Sequence, residues 1–394
     1  MKKIFLCFIS LLLLTACSLN LTEKEESEEH ISWVEEQLEN MTLEEKIGQM
    51  LIVSDYSTEV DEELLNKLNE VKPGGFILFS ENFESYTQAS KLIADIYSTS
   101  EIPMFISIDQ EGGRVQRIKS LSDTEVSIIP SMYQLGLTND SGLAYEVGRV
   151  VGEELRVFNI NMNFAPVLDI YSNPENTVIG DRSFGSTSLL VSKMALSFSE
   201  GLESTGVISV YKHFPGHGDT FEDSHDELPV ISKTKEELMN LELKPFTEAI
   251  NNGADVIMVG HLAAPAITND YTPASLSKEI ITDLLKKELG FDGLVITDAL
   301  NMNALTNEYT EEEIYIEAIN AGVDILLMPD FDTDTIVIIE NAVLNGEITE
   351  EEINDSVEKI LELKYEKLFT ENNYTKEYLG SEEHKNVISR ITTE

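Results

Sequence analysis

Cysteine is nearly absent from this chain of 394 residues: there are two, Cys7 and Cys17, both at the N-terminal end. Positive charge is scarce as well, with 27 lysines and arginines against 72 aspartates and glutamates and a formal net charge of −45. Such a chain repels nucleic acid and other polyanions at long range, so a neutral or small substrate is the easier guest. The acidic excess is spread along the chain rather than gathered in a block, which suits the solvated outer faces of helices. Long apolar runs are missing too. The run Ile4–Leu14, broken only by Ser10, falls short of the roughly 20 residues a membrane-crossing helix needs.

Lys2 and Lys3 precede that run and Leu14-Thr15-Ala16-Cys17 follows it, which is the layout of a secretory leader. A cysteine directly after Leu-Thr-Ala resembles a bacterial lipobox, which implies cleavage before Cys17 and diacylglycerol on its sulfur. Residues 1–16 are therefore expected to be a lipoprotein signal peptide. Residues 17–32 are expected to form an acidic tether, because Ser18–Glu29 has no apolar periodicity with which to offset ordering entropy. Cys7 then leaves with the leader and Cys17 carries lipid, so disulfides and cysteine metal sites are excluded.

Eight short apolar runs follow, each closing at or beside a polar residue: residues 50–55, 74–80, 104–110, 161–169, 206–213, 254–261, 293–299 and 323–329. Helical spacing fills the intervals, beginning near Thr42, where Thr42 and Glu45 fit a capping box. Further helical stretches cover about 84–98, 141–157, 187–203, 235–252, 277–289, 311–321, 333–344 and 348–367. Strands that are apolar at nearly every position belong to a parallel sheet covered on both faces. Eight alternating units predict an α/β fold, a (β/α)8 TIM-like barrel forming one catalytic domain over residues 33–368. A doubly wound open sheet is the alternative, but no G-x-G-x-x-G follows the first strand. Residues 369–394 read as a polar C-terminal extension with frayed ends.

Catalytic groups of such a barrel come from the C-terminal ends of its strands. Asp109, Asp169, Lys212 with His213, His261 and Asp298 end five of the runs. Each alone could be a satisfied structural residue, but their convergence on one mouth points to a site, since a buried polar group is costly unless paired or wet. The stretch 211–225, YKHFPGHGDTFEDSH, holds three of the six histidines. His213 and His217 would face one metal on a helix, but Pro215, Gly216 and Gly218 argue against a helix and the Glu of H-E-x-x-H is missing. No metal and no cofactor are expected. Asp223 lies two residues from His225, on the same side of an extended segment. A carboxylate beside an imidazole fixes its tautomer and favours its cation, which suits general acid/base work near neutral pH.

The sequence KHFPGHGDT (212–220), followed by DSH, resembles glycoside hydrolase family 3, in its β-N-acetylglucosaminidase branch. DQEGGRVQR (109–117), GDRSFG (180–185), MNFAPVLD (162–169) and GLVITDAL (293–300) extend the resemblance over roughly 33–368 in the family's motif order. It implies Asp298 as the nucleophile and His225, paired with Asp223, as the acid/base. It also implies Asp109, Arg117, Arg182, Lys212 and His213 as ligands of the sugar hydroxyls; His217 receives no step. The reaction implied is double displacement with retention, removing terminal N-acetylglucosamine from peptidoglycan fragments. Phosphorolysis is an alternative second step. Trp33, the one tryptophan, sits at the domain edge, so a pocket for one terminal sugar is expected rather than a tryptophan platform for a long polymer. A β-glucosidase or β-xylosidase of the family, or a non-catalytic wall-binding lipoprotein, are the rival readings. The first lacks the GHGDT…DSH loop and the second would have lost Asp298, Asp223 or His225. The expected setting is outside the cytoplasm, as a monomer anchored to the membrane by lipid.

Overall fold

All eight apolar runs fold as strands in the computed structural model, which describes residues 30–220 and 228–391. They are β1 Leu51–Ser54, β2 Gly75–Leu78, β3 Phe105–Ile108, β4 Met162–Asn163, β5 Ile208–Phe214, β6 Val256–Val259, β7 Leu294–Thr297 and β8 Leu326–Leu327. They neighbour one another in the order β8-β1-β2-β3-β4-β5-β6-β7, parallel throughout. A parallel bridge between Ile296 and Ile325, with Thr297 N donating to Ile325 O at 3.1 Å, closes the ring. β2, β3, β6 and β7 are buried at every position, as strands must be when side chains fill the ring inside and helices cover it outside. The fold is the expected TIM-like barrel.

The covering helices follow from the sequence at their ends and faces. The Thr42–Glu45 capping box forms, with Glu45 N donating to Thr42 Oγ1 (3.3 Å) and Thr42 N to Glu45 Oε2 (3.0 Å). α1 (Tyr86–Tyr97) starts where Ser85 accepts from Gln88 N, and it buries Leu92, Ile93 and Ile96. α2 (Ser141–Val157) and α3 (Ser188–Glu203) approach closely because both carry glycine at the contact. A Cβ on Gly148 would lie 1.9 Å from Phe198 O, and one on Gly201 2.0 Å from Tyr145 O. α4 (Glu350–Leu368) buries Lys364 completely, with Nζ donating to Gln49 Oε1 (2.7 Å) and lying 5.0 Å from the Phe105 ring centre.

Three departures from the expected pattern have physical causes. The stretch 235–252 breaks into Lys235–Asn240 and Leu243–Asn251, because Glu242 turns inward to meet Lys233. An amphipathic helix at Glu62–Val71, capped by Asp61, fills the interval between β1 and β2. The largest departure is at the C-terminal end. Residues expected to fray instead form α5 (Glu382–Ser389), docked on α2. His384 is buried between two carboxylates, its Nε2 2.8 Å from Glu153 Oε2 and its Nδ1 3.0 Å from Glu154 Oε1. The polar composition of this segment hid a docking surface whose partners lie some 230 residues earlier. Among the described residues no helix is long and apolar enough to cross a membrane. The expected signal peptide, the lipidated Cys17 and most of the tether lie outside the described residues.

Candidate active site

The C-terminal ends of the strands build one cavity. Asp109 is the residue after β3, and an antiparallel hairpin, Gln110–Gly112 with Val115–Gln116, follows at once. Gly112 and Gly113 make its turn at φ +108° and +57°, where a side chain would be strained. The hairpin carries Glu111 inward and delivers Arg117 to the mouth. Lys212 and His213 lie near the end of β5, Arg182 lies in a single 3₁₀ turn (Gly180–Arg182), and Asp298 follows β7. Asp109, Arg117, Arg182, Lys212, His213 and Asp298 all line a cavity of about 350 Å³, with His217 on its wall. That volume suits a pocket for a small molecule.

Alternating charges hold these side chains in place. Lys212 Nζ donates to Asp109 Oδ1 (2.7 Å) and lies 2.8 Å from Glu111 Oε1. Arg117 Nη2 donates to Asp109 Oδ2 (3.1 Å), and its guanidinium sits 5.2 Å from the Phe79 ring centre. Arg182 grips Glu111 in a fork, Nε to Oε2 at 2.9 Å and Nη2 to Oε1 at 2.8 Å. Burial alone would raise the pKa of Glu111, whose side chain is 1 % exposed, but Arg182 and Lys212 bring it down to about 2. Burial likewise opposes the charge on Lys212, yet Asp109 and Glu111 hold its pKa above the usual lysine value. The result is a rigid, fully ionised donor and acceptor array. Lysine and arginine donate to sugar hydroxyls, and a carboxylate can accept from two neighbouring ones.

A second network orients the imidazoles. Asp169, buried beyond β4, accepts from His213 Nδ1 (2.6 Å) and from the backbone N of His217 (2.6 Å). Burial would favour a protonated Asp169, but His213 holds its pKa below the usual range. His213 Nε2 is left facing Arg182 Nη2 at 3.4 Å. His217 pairs Nδ1 with Thr220 Oγ1 (2.8 Å), and burial pushes its pKa down to about 4, so it is a neutral wall of the cavity. His261 is not among the described residues that line the cavity: Nε2 donates to Ala299 O (3.0 Å) and Nδ1 pairs with Ser275 Oγ (2.8 Å), which braces the turn carrying Asp298.

Asp298 itself is only partly covered, and Ala299 N donates to its Oδ1 at 2.8 Å. Burial would raise its pKa, but His213, His261 and that backbone N–H hold it below the usual carboxylate value. It is therefore an anion at neutral pH, placed at the cavity. Asp223 and His225 lie outside the described residues. Thr220, the last described residue before them, is buried next to the cavity-wall residue His217 and donates to its O (3.1 Å). Among the described residues there is no cluster of three or more His, Cys, Asp or Glu side chains placed to hold a metal.

Glu111 is the site residue that sequence reasoning passed over. Asp109 and Glu111 stand two apart in an extended segment, so their side chains share a face, and that spacing was the available signal. Trp33 packs against Tyr365 and Phe369, away from the cavity, whose aromatic wall is Tyr56 and Phe79.

A parallel barrel whose mouth combines an ionised carboxylate with a ring of paired lysine, arginine and aspartate side chains has the make-up of an enzyme active site. The chain belongs to glycoside hydrolase family 3: residues 42–363 match its "Glycosyl hydrolase family 3 N terminal domain". It is 35% identical over 332 residues to beta-hexosaminidase A of Pseudoalteromonas piscicida, an alignment covering 78% of this chain and 56% of that one. It is 35% identical over 296 residues to a beta-hexosaminidase of Haemophilus influenzae, covering 74% and 82%. A solved family 3 β-N-acetylglucosaminidase from Paenibacillus sp. superposes with a TM-score of 0.83 at 38% identity, covering 89% of this chain and 68% of that one. The chain thus spans little more than half the length of the Pseudoalteromonas relative.

Proposed function

We propose that this protein is a retaining, exo-acting β-N-acetylglucosaminidase that releases terminal N-acetylglucosamine from peptidoglycan-derived fragments. The observation that carries the reading is the placement of an ionised Asp298 in the same cavity as Asp109, Lys212 and Arg182, whose charges Glu111 backs from behind. Asp109, Arg117, Arg182, Lys212 and His213 hold the sugar hydroxyls, and Asp298 attacks the anomeric carbon. His225, oriented by Asp223, gives its proton to the departing glycosidic oxygen as that bond breaks. The same imidazole then takes a proton from water, whose oxygen displaces Asp298 and frees the sugar with its configuration retained. A histidine serves here because its unperturbed pKa of about 6.5 lets it exchange protons near neutrality without strong desolvation. The relatives named beta-hexosaminidase support the reaction class. The leader and Cys17 support a lipid anchor outside the cytoplasm, beside the wall that supplies the fragments, with the enzyme acting as a monomer.

The test is hydrolysis of an aryl N-acetyl-β-glucosaminide by the wild type and by Asp298→Ala and His225→Ala. Asp298→Ala is expected to lose on the order of 10⁴-fold in kcat. His225→Ala is expected to lose less on this substrate than on a disaccharide, because an activated phenolate needs little protonation. Unchanged turnover in Asp298→Ala overturns the nucleophile, and a phosphate-dependent rate yielding sugar 1-phosphate would redirect the second step to phosphorolysis.

A further inference from the structure

The barrel face opposite the catalytic mouth holds a second cavity, of about 290 Å³, that the proposed reaction does not use. It lies where α1, α2 and the chain leaving α4 meet, and its lining includes Tyr97, Arg156, Asn159, Asn161, Thr370 and Asn372. Asn161 stands just ahead of β4, which fixes this cavity at the N-terminal ends of the strands.

Arg156 is what sets this cavity apart. Its residue is 6 % exposed, and its Nε is fully covered without a hydrogen-bond partner. No hydrogen bond or ion pair from its guanidinium to any described residue is formed, in a chain where acidic groups outnumber basic ones 72 to 27. Other well-buried cations have a polar partner: Arg182 is held by Glu111, Lys212 by Asp109 and Glu111, and Lys364 by Gln49. Burial pulls the pKa of Arg156 down, and only the phenols of Tyr374 and Tyr97 oppose that pull. A buried charge without a partner is strongly disfavoured. The C-terminal end of α2 contributes only about half an elementary charge toward it. The neighbouring amides are already engaged. Asn372 Nδ2 is spent on Arg156 O (2.7 Å) and Asn161 on the backbone at Ile106 and Met104. No carboxylate lines the cavity.

We propose that this cavity binds a phosphate group, free or carried on a small molecule, through the forked donors of Arg156 with the Tyr97 hydroxyl beside it. A guanidinium presents its donors in the geometry that phosphate oxygens match two at a time. The bound anion would tie the end of α2 to the segment that follows α4, far from the sugar pocket, and so act on stability rather than turnover.

Calorimetric titration of the full chain with inorganic phosphate at constant ionic strength tests this, using wild type, Arg156→Gln and Lys212→Ala. The expected result is one phosphate bound by wild type and by Lys212→Ala, with affinity at least tenfold weaker in Arg156→Gln. Equal affinity in wild type and Arg156→Gln, or binding lost only in Lys212→Ala, overturns the proposal, the latter by moving the anion to the catalytic mouth. A parallel titration with glycerol 3-phosphate separates the sources: tighter binding assigns a phosphomonoester, equal or weaker binding the free ion. If Arg156→Gln does not fold, selenate soaked into wild-type crystals decides. An anomalous peak at Arg156 supports the site, and its absence with selenate present elsewhere refutes it.

Discussion

Glu111→Gln isolates the charge at the centre of the ion-pair array behind the cavity. The carboxylate is 1 % exposed and is shared between the Arg182 fork and Lys212 Nζ. Its pKa falls from 4.5 to about 2 on folding. At 1.36 kcal/mol per unit this contributes about 3 kcal/mol of stability at pH 7. Removing one partner of a buried ion pair costs a similar amount, about 3–5 kcal/mol. Because the folded pKa lies below the unfolded one, the contribution is complete above pH 4.5 and is lost as pH falls through 2. At pH 3 the gap between wild type and variant should shrink to about 1.4 kcal/mol. Urea unfolding at pH 7 and pH 3 measures both values, provided the slope with denaturant is unchanged. A loss below 1 kcal/mol at pH 7, or a gap that does not narrow at pH 3, refutes the argument that Glu111 is held as an anion by its two cations.

His384→Gln should destabilise the C-terminal dock by about 3 kcal/mol at pH 6, since Glu153 and Glu154 raise the imidazole pKa from 6.5 to about 9 against the pull of burial. That contribution is complete below pH 6.5 and fades as pH rises through 9, so melts of the two proteins should converge near pH 10 and stay apart at pH 6. Lys364→Met should be neutral or stabilising at pH 6, because burial against Gln49 and Phe105 depresses the ammonium pKa to about 7 and no carboxylate compensates it. The advantage of methionine should shrink between pH 7 and pH 10.5 as the lysine in the unfolded chain also loses its charge; a clear loss of stability at pH 6 would count against this reading.

The strands were legible because burial on both faces leaves little freedom in composition: runs such as 104–110 and 293–299 are apolar at almost every inward and outward position, and both became strands. The mouth was legible for the same reason, since a polar residue ending such a run needs a purpose, and Asp109, Lys212, His213 and Asp298 meet in one cavity. What escaped was pairing at a distance. His384 needs Glu153 and Glu154 on α2, and a polar tail gives no local sign of them. Glu111 was hidden inside a glycine hairpin too short for periodicity to register, and His261 looked like a mouth residue until the turn at Ala299 claimed it. Asp223 and His225 were read from their spacing and motif, Cys17 from motif, and all three lie outside the described residues.

Closure of the ring by β8 against β1, Leu51 beside Leu326 and Ile52 beside Leu327, has a consequence for how the enzyme is born. The two partners stand roughly 275 residues apart, so the loop-closure entropy of that seam is met only late in synthesis. A nascent chain carrying all of Asp109, Lys212 and Asp298 would still have an open cylinder, with β1 a bare edge available to wrong neighbours. The last strand to emerge is thus the one that removes this edge.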